Sequence, residues 1–522
     1  MKKLLSTILI SVAITGCTEW ADHYEEGPAQ GSGLTVMQLL EQDDATKAFA
    51  GLISKSGYAD LLSSSQSFTV FAPPADAMGP DANADMASIR RMVSNHIARQ
   101  TYPSSTPVTT SVRMLNGKIY YFNSSDMFGG CTMAQHDIKA TNGLVHKLSN
   151  AQIPYANNIY EHIEASSEMS ALYEFIHSFD EVRFDPDAST EIDIDDNGRP
   201  VFDSVMVSYN RLLEDKAYGI GHIKSEDSLY SMVVPTNEAW AAAYERIAPS
   251  FKVYDTNAHV ADSIQDIRTK LAIVNDLVYR GSLAGADSIV STTGSVIHSP
   301  ADLISGTQEL SASNGMLFTA TTLNYDNSET WNKPISVEAE QQNGRTYNNT
   351  LTSVYMRNVT AASIVSGVSG DSYIEVMPIS TSTNPTVIFD IPNTLAGKYN
   401  VYAVFLPATV EGPTTELDST RITFTVAYMN SNGRSTTKRN NSRTLLTSGS
   451  KPVKMLAFEE LELPVSNTTD RLWLMDKAHD PSMLPVTTQL TVATNVTSRE
   501  FSSGELSRTF RLDRIIFEPV KK

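Results

Sequence analysis

Phe68-Thr69-Val70-Phe71-Ala72-Pro73-Pro74-Ala75-Asp76-Ala77-Met78 returns later in the chain as Tyr230-Ser231-Met232-Val233-Val234-Pro235-Thr236-Asn237-Glu238-Ala239-Trp240. In each copy four or five β-prone residues predict a buried strand. A proline then ends it, because proline has no N–H to give the ladder. Asp76, or Asn237-Glu238, suits the first turn of a helix, where an acidic side chain meets the positive end of the dipole. A second segment is also doubled: Thr141-Asn142-Gly143-Leu144-Val145-His146 and Ser313-Asn314-Gly315-Met316-Leu317-Phe318. Its Asn-Gly predicts a turn that admits positive φ ahead of a new apolar strand. Pro73 and Pro235 lie 162 residues apart, Asn142 and Asn314 lie 172 apart. Two blocks repeated at nearly one offset predict a duplicated domain, with the ten-residue difference taken up by a loop insertion.

Ahead of the first signature segment in each copy the pattern is helical. Val36, Met37, Leu39 and Leu40, then Phe49, Leu52 and Ile53, are apolar at helical spacing. So are Ile159, Ile163, Met169, Leu172, Phe175 and Ile176 in the second copy. Together the blocks resemble the two signature segments of fasciclin-type domains, a strand followed by Pro-Thr-Asn-Asp-Ala-Phe and then Asn-Gly-Val-Ile-His with a closing proline, here Pro154. The resemblance spans about residues 32–328 and is stronger in the first copy. It implies compact α+β units over residues 34–155 and 156–328. His96 matches the histidine of a family segment thought to engage integrins, and is a candidate ligand-binding residue on that ground. Its other reading is a packed structural group, and the second copy has Asn275-Asp276-Leu277 there.

From about Pro334 short alternating strands replace the helical patterns. Ile335–Glu340, Tyr373–Val376, Thr386–Ile391, Lys398–Phe405, Arg421–Tyr428, Leu472–Met475 and Phe510–Phe517 predict a β-sandwich over residues 334–522. Glu338-Ala339-Glu340, the run Gly397 to Tyr402 and the closing run Leu512 to Ile515 resemble the framework of galactose-binding-like jelly rolls and the carbohydrate-binding modules built on them. The expected fold is therefore two fasciclin-type α+β domains followed by an all-β jelly-roll sandwich. By the same resemblance, Trp331, Tyr347 and Trp473 are candidate sugar platforms, with hinge or core as the competing reading. Lys438-Arg439, with Arg434 and Arg443, reads as a solvated basic loop.

The first residues set the compartment. Lys2-Lys3 and the eleven apolar-rich residues Leu4 to Ile14 fit an export signal and are too short to span a bilayer, which takes about 20 residues. Ile14-Thr15-Gly16-Cys17 resembles the lipobox of bacterial lipoproteins. That implies a signal peptide at 1–16, a lipid on Cys17 and a tether at 17–33 whose acidic start resembles a surface-export signal. The expected location is the outer membrane, lipid-anchored and facing outward.

Composition excludes much else. Lys plus Arg number 40 against 59 Asp plus Glu, for a net charge of −19. This argues against nucleic acid, whose phosphates require a basic face. Two cysteines rule out a multi-cysteine metal site, and Cys131 reads as a small buried apolar residue. Asp193-Ile194-Asp195-Asp196-Asn197-Gly198 starts like a calcium loop, with Asp193, Asp195 and Asn197 as ligands. Ser204 stands where the bidentate Glu is needed, so a hairpin between Glu191–Ile194 and Val201–Val207 competes. No nucleophile elbow, zinc helix or phosphate loop is present, and no cofactor is expected. The expected function is non-catalytic: adhesion, or capture of extracellular glycan or protein, beside an outer-membrane uptake complex. The alternatives are a spacer subunit of a lipoprotein complex and a glycan hydrolase with an unrecognised carboxylate pair.

Overall fold

The computed structural model describes residues 33–78, 85–194, 200–414, 419–468 and 486–521. The chain divides into two compact units, before and after Asn157/Asn158.

In the first unit, Thr35 and Gln38 cap the helix Val36–Gln42 reciprocally, and helix Lys47–Ser56 stops at Gly57 with φ +86. The sheet runs Ile97–Arg99, Phe68–Ala72, Gly143–Leu148, Cys131–Ala140, Met127–Phe128, Phe122–Ser124. Every residue of Phe68–Ala72 is buried, because apolar clusters cover both faces of this strand. It pairs parallel with Gly143–Leu148, Phe68 opposite Gly143. Parallel strands need a long crossover between them, and residues 73–142 supply it.

The second unit opens with the same plan. Its four-stranded sheet runs Val278–Arg280, Tyr230–Pro235, Gly315–Ala320, Gln308–Ala312, again with a parallel central pair and with Tyr230 opposite Gly315. The carbonyl of His96 accepts from Phe71 N–H, and that of Leu277 accepts from Val233 N–H, so Leu277 occupies the place of His96. The offset is thus 162 residues at the proline, 181 at this point and 172 at the asparagine. The expected single loop insertion is replaced by two changes of opposite sign. Added chain goes into the helices Asn237–Ile247 and Ala258–Val274, and part of it is removed again before Asn314.

The predicted hairpin forms, but its return strand is shorter than expected. Thr190–Ile194 pairs with Pro200–Asp203, and the chain then breaks direction, so that Met206–Asn210 pairs with Asp180–Phe184 instead.

Two antiparallel sheets complete this unit. One orders Thr352–Asn358, Ser372–Pro378, Phe510–Pro519, Gly397–Leu406, Val453–Leu463, with Ile335–Glu338 also on Phe510–Pro519. The other orders Arg345–Tyr347, Thr386–Asp390, Gln489–Thr494, Ile422–Met429, Ser435–Asn440. Val387, Phe389, Phe405, Phe424, Val492, Leu512 and Phe517 interleave between them as one core. Lys438 and Arg439 are not in a loop: they lie on the edge strand Ser435–Asn440, where charged side chains discourage further strand addition.

Sandwich and α/β part are joined directly. Leu395 packs in the α/β core, Ala396 N–H donates to Ser250 O at 2.9 Å, and Ser466 N–H to Lys252 O at 2.7 Å. The ring of Tyr254 lies against Gly433, where any Cβ would strike it.

Candidate functional site

Where the α/β part of the second unit meets the sandwich, a cavity of about 410 Å³ opens. Four stretches distant in sequence build it. Arg246 comes from the last turn of helix Asn237–Ile247. Tyr325 to Asn332 form a turn-rich segment after strand Gly315–Ala320, closed by Asn332 N–H donating to Asn327 O at 2.8 Å. Lys398 and Tyr399 begin a sandwich strand, and Lys521 follows the last one.

The polar groups here are unevenly satisfied. Asp326 accepts from the Ser328 hydroxyl at 2.6 Å and its amide at 2.8 Å, and Lys521 stands 3.2 Å from its other oxygen. The Ser328 bonds, and then Lys521, hold the Asp326 carboxyl below the usual carboxylate range. Lys398 is paired with Glu460 at 2.7 Å. Arg246, by contrast, makes no ion pair among the described residues, and its guanidinium lies 5.8 Å from the centre of the Tyr325 ring. Burial pushes the Tyr325 hydroxyl up to about 12, against the pull of Arg246. Trp331 is half-buried, 5.8 Å from Phe251, and its indole N–H has no hydrogen-bond partner; nor has the buried Asn327 Oδ1. A buried polar group left unpaired costs about 1–3 kcal/mol. Aromatic residues beside the polar Asn327, Ser328 and Asn332 make a lining that suits a ring-shaped, hydroxylated molecule.

Of the predicted residues that are described, Trp331 alone lines this cavity. Tyr347 stands exposed on the edge strand Arg345–Tyr347, apart from the cavity lining. His96 is fully buried: its Nδ1 donates to Met92 O at 2.9 Å and its Nε2 accepts from Ile153 N–H at 2.9 Å. Burial lowers its pKa to about 4, which keeps the ring neutral. With both nitrogens given to the backbone, His96 is a packing group and offers nothing to a ligand. Cys131 is buried, and burial raises its thiol pKa. Cys17, Trp473, Asp195 and Asn197 lie outside the described residues. So does the side chain of Asp193, whose backbone belongs to strand Thr190–Ile194.

A second polar cluster is inside the sandwich. Asp513 is buried, its Oδ1 accepts from Ser369 N–H at 3.0 Å, and Oδ2 has no hydrogen-bond partner. Burial first, with Glu338 and Glu340 adding to it, raises its pKa to about 6. Glu338 and Glu340 each also leave a buried oxygen unpartnered. Among the described residues, however, no three ligating side chains stand close enough together to hold a metal ion. No helix among those residues is long and apolar enough to cross a membrane.

Residues 44–154 match the Fasciclin domain family model. No curated protein matches the chain. Among solved structures, a domain pair from the insect cell-adhesion molecule Fasciclin I is similar at 15% identity and a TM-score of 0.21, covering 55% of this chain and 99% of that one. The C-terminal family 22 carbohydrate-binding module of a Clostridium thermocellum protein is similar at 12% identity and a TM-score of 0.21, covering 35% and 91%. A carbohydrate-binding module specific for non-crystalline cellulose is similar at 11% identity and a TM-score of 0.15, covering 35% and 90%. The chain thus carries a fasciclin domain at its N-terminal end and a two-sheet β-sandwich at its C-terminal end.

Proposed function

We propose that this protein is a lipid-anchored, non-catalytic component of the outer-membrane surface that captures extracellular glycan. In this reading, residues 156–328 are a second fasciclin-type domain, and residues 334–522 are a galactose-binding-like jelly roll. The observation that carries capture is the junction cavity: Trp331 and Tyr325 beside Asn327, Ser328 and Asn332, at a volume within the 300–1,000 Å³ range of ligand pockets. The non-catalytic reading is supported by Asp326, the one carboxylate lining the cavity among the described residues, whose two oxygens are already engaged. Glycoside cleavage ordinarily uses two carboxyl groups. The anchor rests on Lys2-Lys3, the apolar run and Cys17; three acyl chains hold a protein at a membrane where one does so only marginally.

Protein adhesion is the second reading. It is favoured by the fasciclin match over residues 44–154, a module of the cell-adhesion type. A glycan array probed with residues 18–522 separates the two. Capture predicts a defined set of bound glycans. A blank array, with binding instead to a partner outer-membrane lipoprotein or transporter, would favour the adhesive or spacer role.

A further inference from the structure

We propose that the junction cavity selects an acidic sugar, a pyranose bearing a carboxylate, and that Arg246 is the residue that recognises the charge. The inference rests on glycan capture and names its substrate class. Its physical basis is the charge count of the lining. Arg246, Lys398 and Lys521 line the cavity against Asp326, and Lys398 is also neutralised by Glu460 beside it, so three cations meet two carboxylates and leave +1, on Arg246, in a chain whose net charge is −19. A concave site of one sign, set in a surface of the other, concentrates ligands of opposite charge.

The three cations are not equivalent. Lys521 is held by Asp326 and Lys398 by Glu460, whereas Arg246 has no carboxylate partner among the described residues. Its guanidinium is exposed and lies beside Tyr325, at the end of a helix whose other contacts fix its backbone: Trp240, Ala243 and Ile247 of that helix are buried. Arginine presents a planar fork that matches a carboxylate with two parallel hydrogen bonds, and it is less strongly hydrated than an ammonium. Trp331 and Tyr325 supply the apolar surface against which a pyranose ring lies, and Asn327, Ser328 and Asn332 line the cavity beside them as polar partners for hydroxyl groups. A neutral sugar uses the second set of groups only. An acidic one uses both.

The test is calorimetric titration of residues 18–522 with a galacturonic acid trisaccharide, and with its fully methyl-esterified form, which keeps the rings and removes the charge. The expected result is binding of the acid at least about tenfold tighter than the ester, with the preference shrinking at high salt. Arg246→Ala is expected to abolish the preference while leaving thermal unfolding unchanged, since the side chain is exposed. Arg246→Lys is expected to restore it in part. Trp331→Phe, a milder change at a half-buried position, is expected to weaken acid and ester alike. Equal affinity for acid and ester, or a preference that survives Arg246→Ala, would overturn the assignment. If the array shows neutral glycans bound while the acid is not, selectivity falls and capture stands. If no glycan of either kind binds, both fall.

Discussion

Residues 33–157 place His96 where the following unit places Leu277, and His146 where that unit places Phe318. Each pair occupies the same position in the sheet. Both histidines are buried, as are Leu277 and Phe318. Asparagine and glycine, by contrast, are unchanged. Asn142 donates to the carbonyls of Leu62 and Ser64 and accepts from Val36 N–H at 2.8 Å; Asn314 donates to Ile223 and Ser225 and accepts from Ile159 N–H at 2.9 Å. Each ties the first helix of its unit and the chain entering the central strand to one buried amide. Gly143 and Gly315 follow, with φ of +148 and +142, and a Cβ on either would collide with the carbonyl of Phe68 or Tyr230 across the parallel pair. The plan keeps the asparagine tie in both units, whereas the backbone ties made by His96 and His146 belong to the first unit alone.

The equivalence of the two units depends most heavily on the glycines. Gly143→Ala and Gly315→Ala are each expected to cost about 4 kcal/mol or more by forcing the central strands apart, read by urea unfolding with local hydrogen exchange. A benign result in one unit alone would end the equivalence. Asn142→Ala and Asn314→Ala each remove two buried hydrogen bonds and one part-buried one, and an expected loss of about 2–4 kcal/mol should be similar in the two.

The exchangeable position separates the units by pH. The His96 pKa of about 4 in the fold lies below its unfolded value of about 6.5. The unfolded chain therefore binds more protons between these values, and stability present above pH 6.5 is lost as the pH falls through 4. His96→Leu is expected to flatten that acid loss in residues 33–157. At pH 7 it should cost about 1–3 kcal/mol, because Ile153 N–H loses its acceptor. The unit with Leu277 needs no such change to lack this source of acid loss.

The smallest effect is expected in the sandwich, with the opposite slope. The Asp513 pKa of about 6 lies above the unfolded value near 3.9, so its contribution is fully present below pH 4 and lost as the pH rises through 6. Asp513→Asn keeps an oxygen for Ser369 N–H and removes the charge. It should raise stability above pH 6 by about 1 kcal/mol and remove that slope, as seen in thermal melts across pH 4–8.

Much of the fold was legible in short motifs. The buried strand Phe68–Ala72, its proline stop and the helix capped by Thr236 follow from local chemistry, which is why the repeat could be found. Asn-Gly is not the centre of the turn that the sequence predicts. The two-residue turn is Thr141-Asn142, with Gly143 already in the strand, and its need for glycine comes from a partner strand 75 positions away. Val453–Leu463, the longest sandwich strand among the described residues, has no clean alternation in the sequence. Its pairing with Gly397–Leu406 shifts between Phe458 and Leu461, where Glu460 takes φ +43, and so the apolar alternation changes phase midway. The cavity was legible only through Trp331. Arg246, Tyr325, Lys398 and Lys521 are unremarkable in isolation, and only tertiary folding brings them together.

Capture without cleavage is tested most directly by mass spectrometry of glycan recovered after saturating calorimetric binding to residues 18–522. The account predicts one saturable site and glycan of unchanged mass after prolonged incubation. Shortened glycan, or saturable binding that persists after Trp331 and Arg246 are both replaced by alanine, would contradict it.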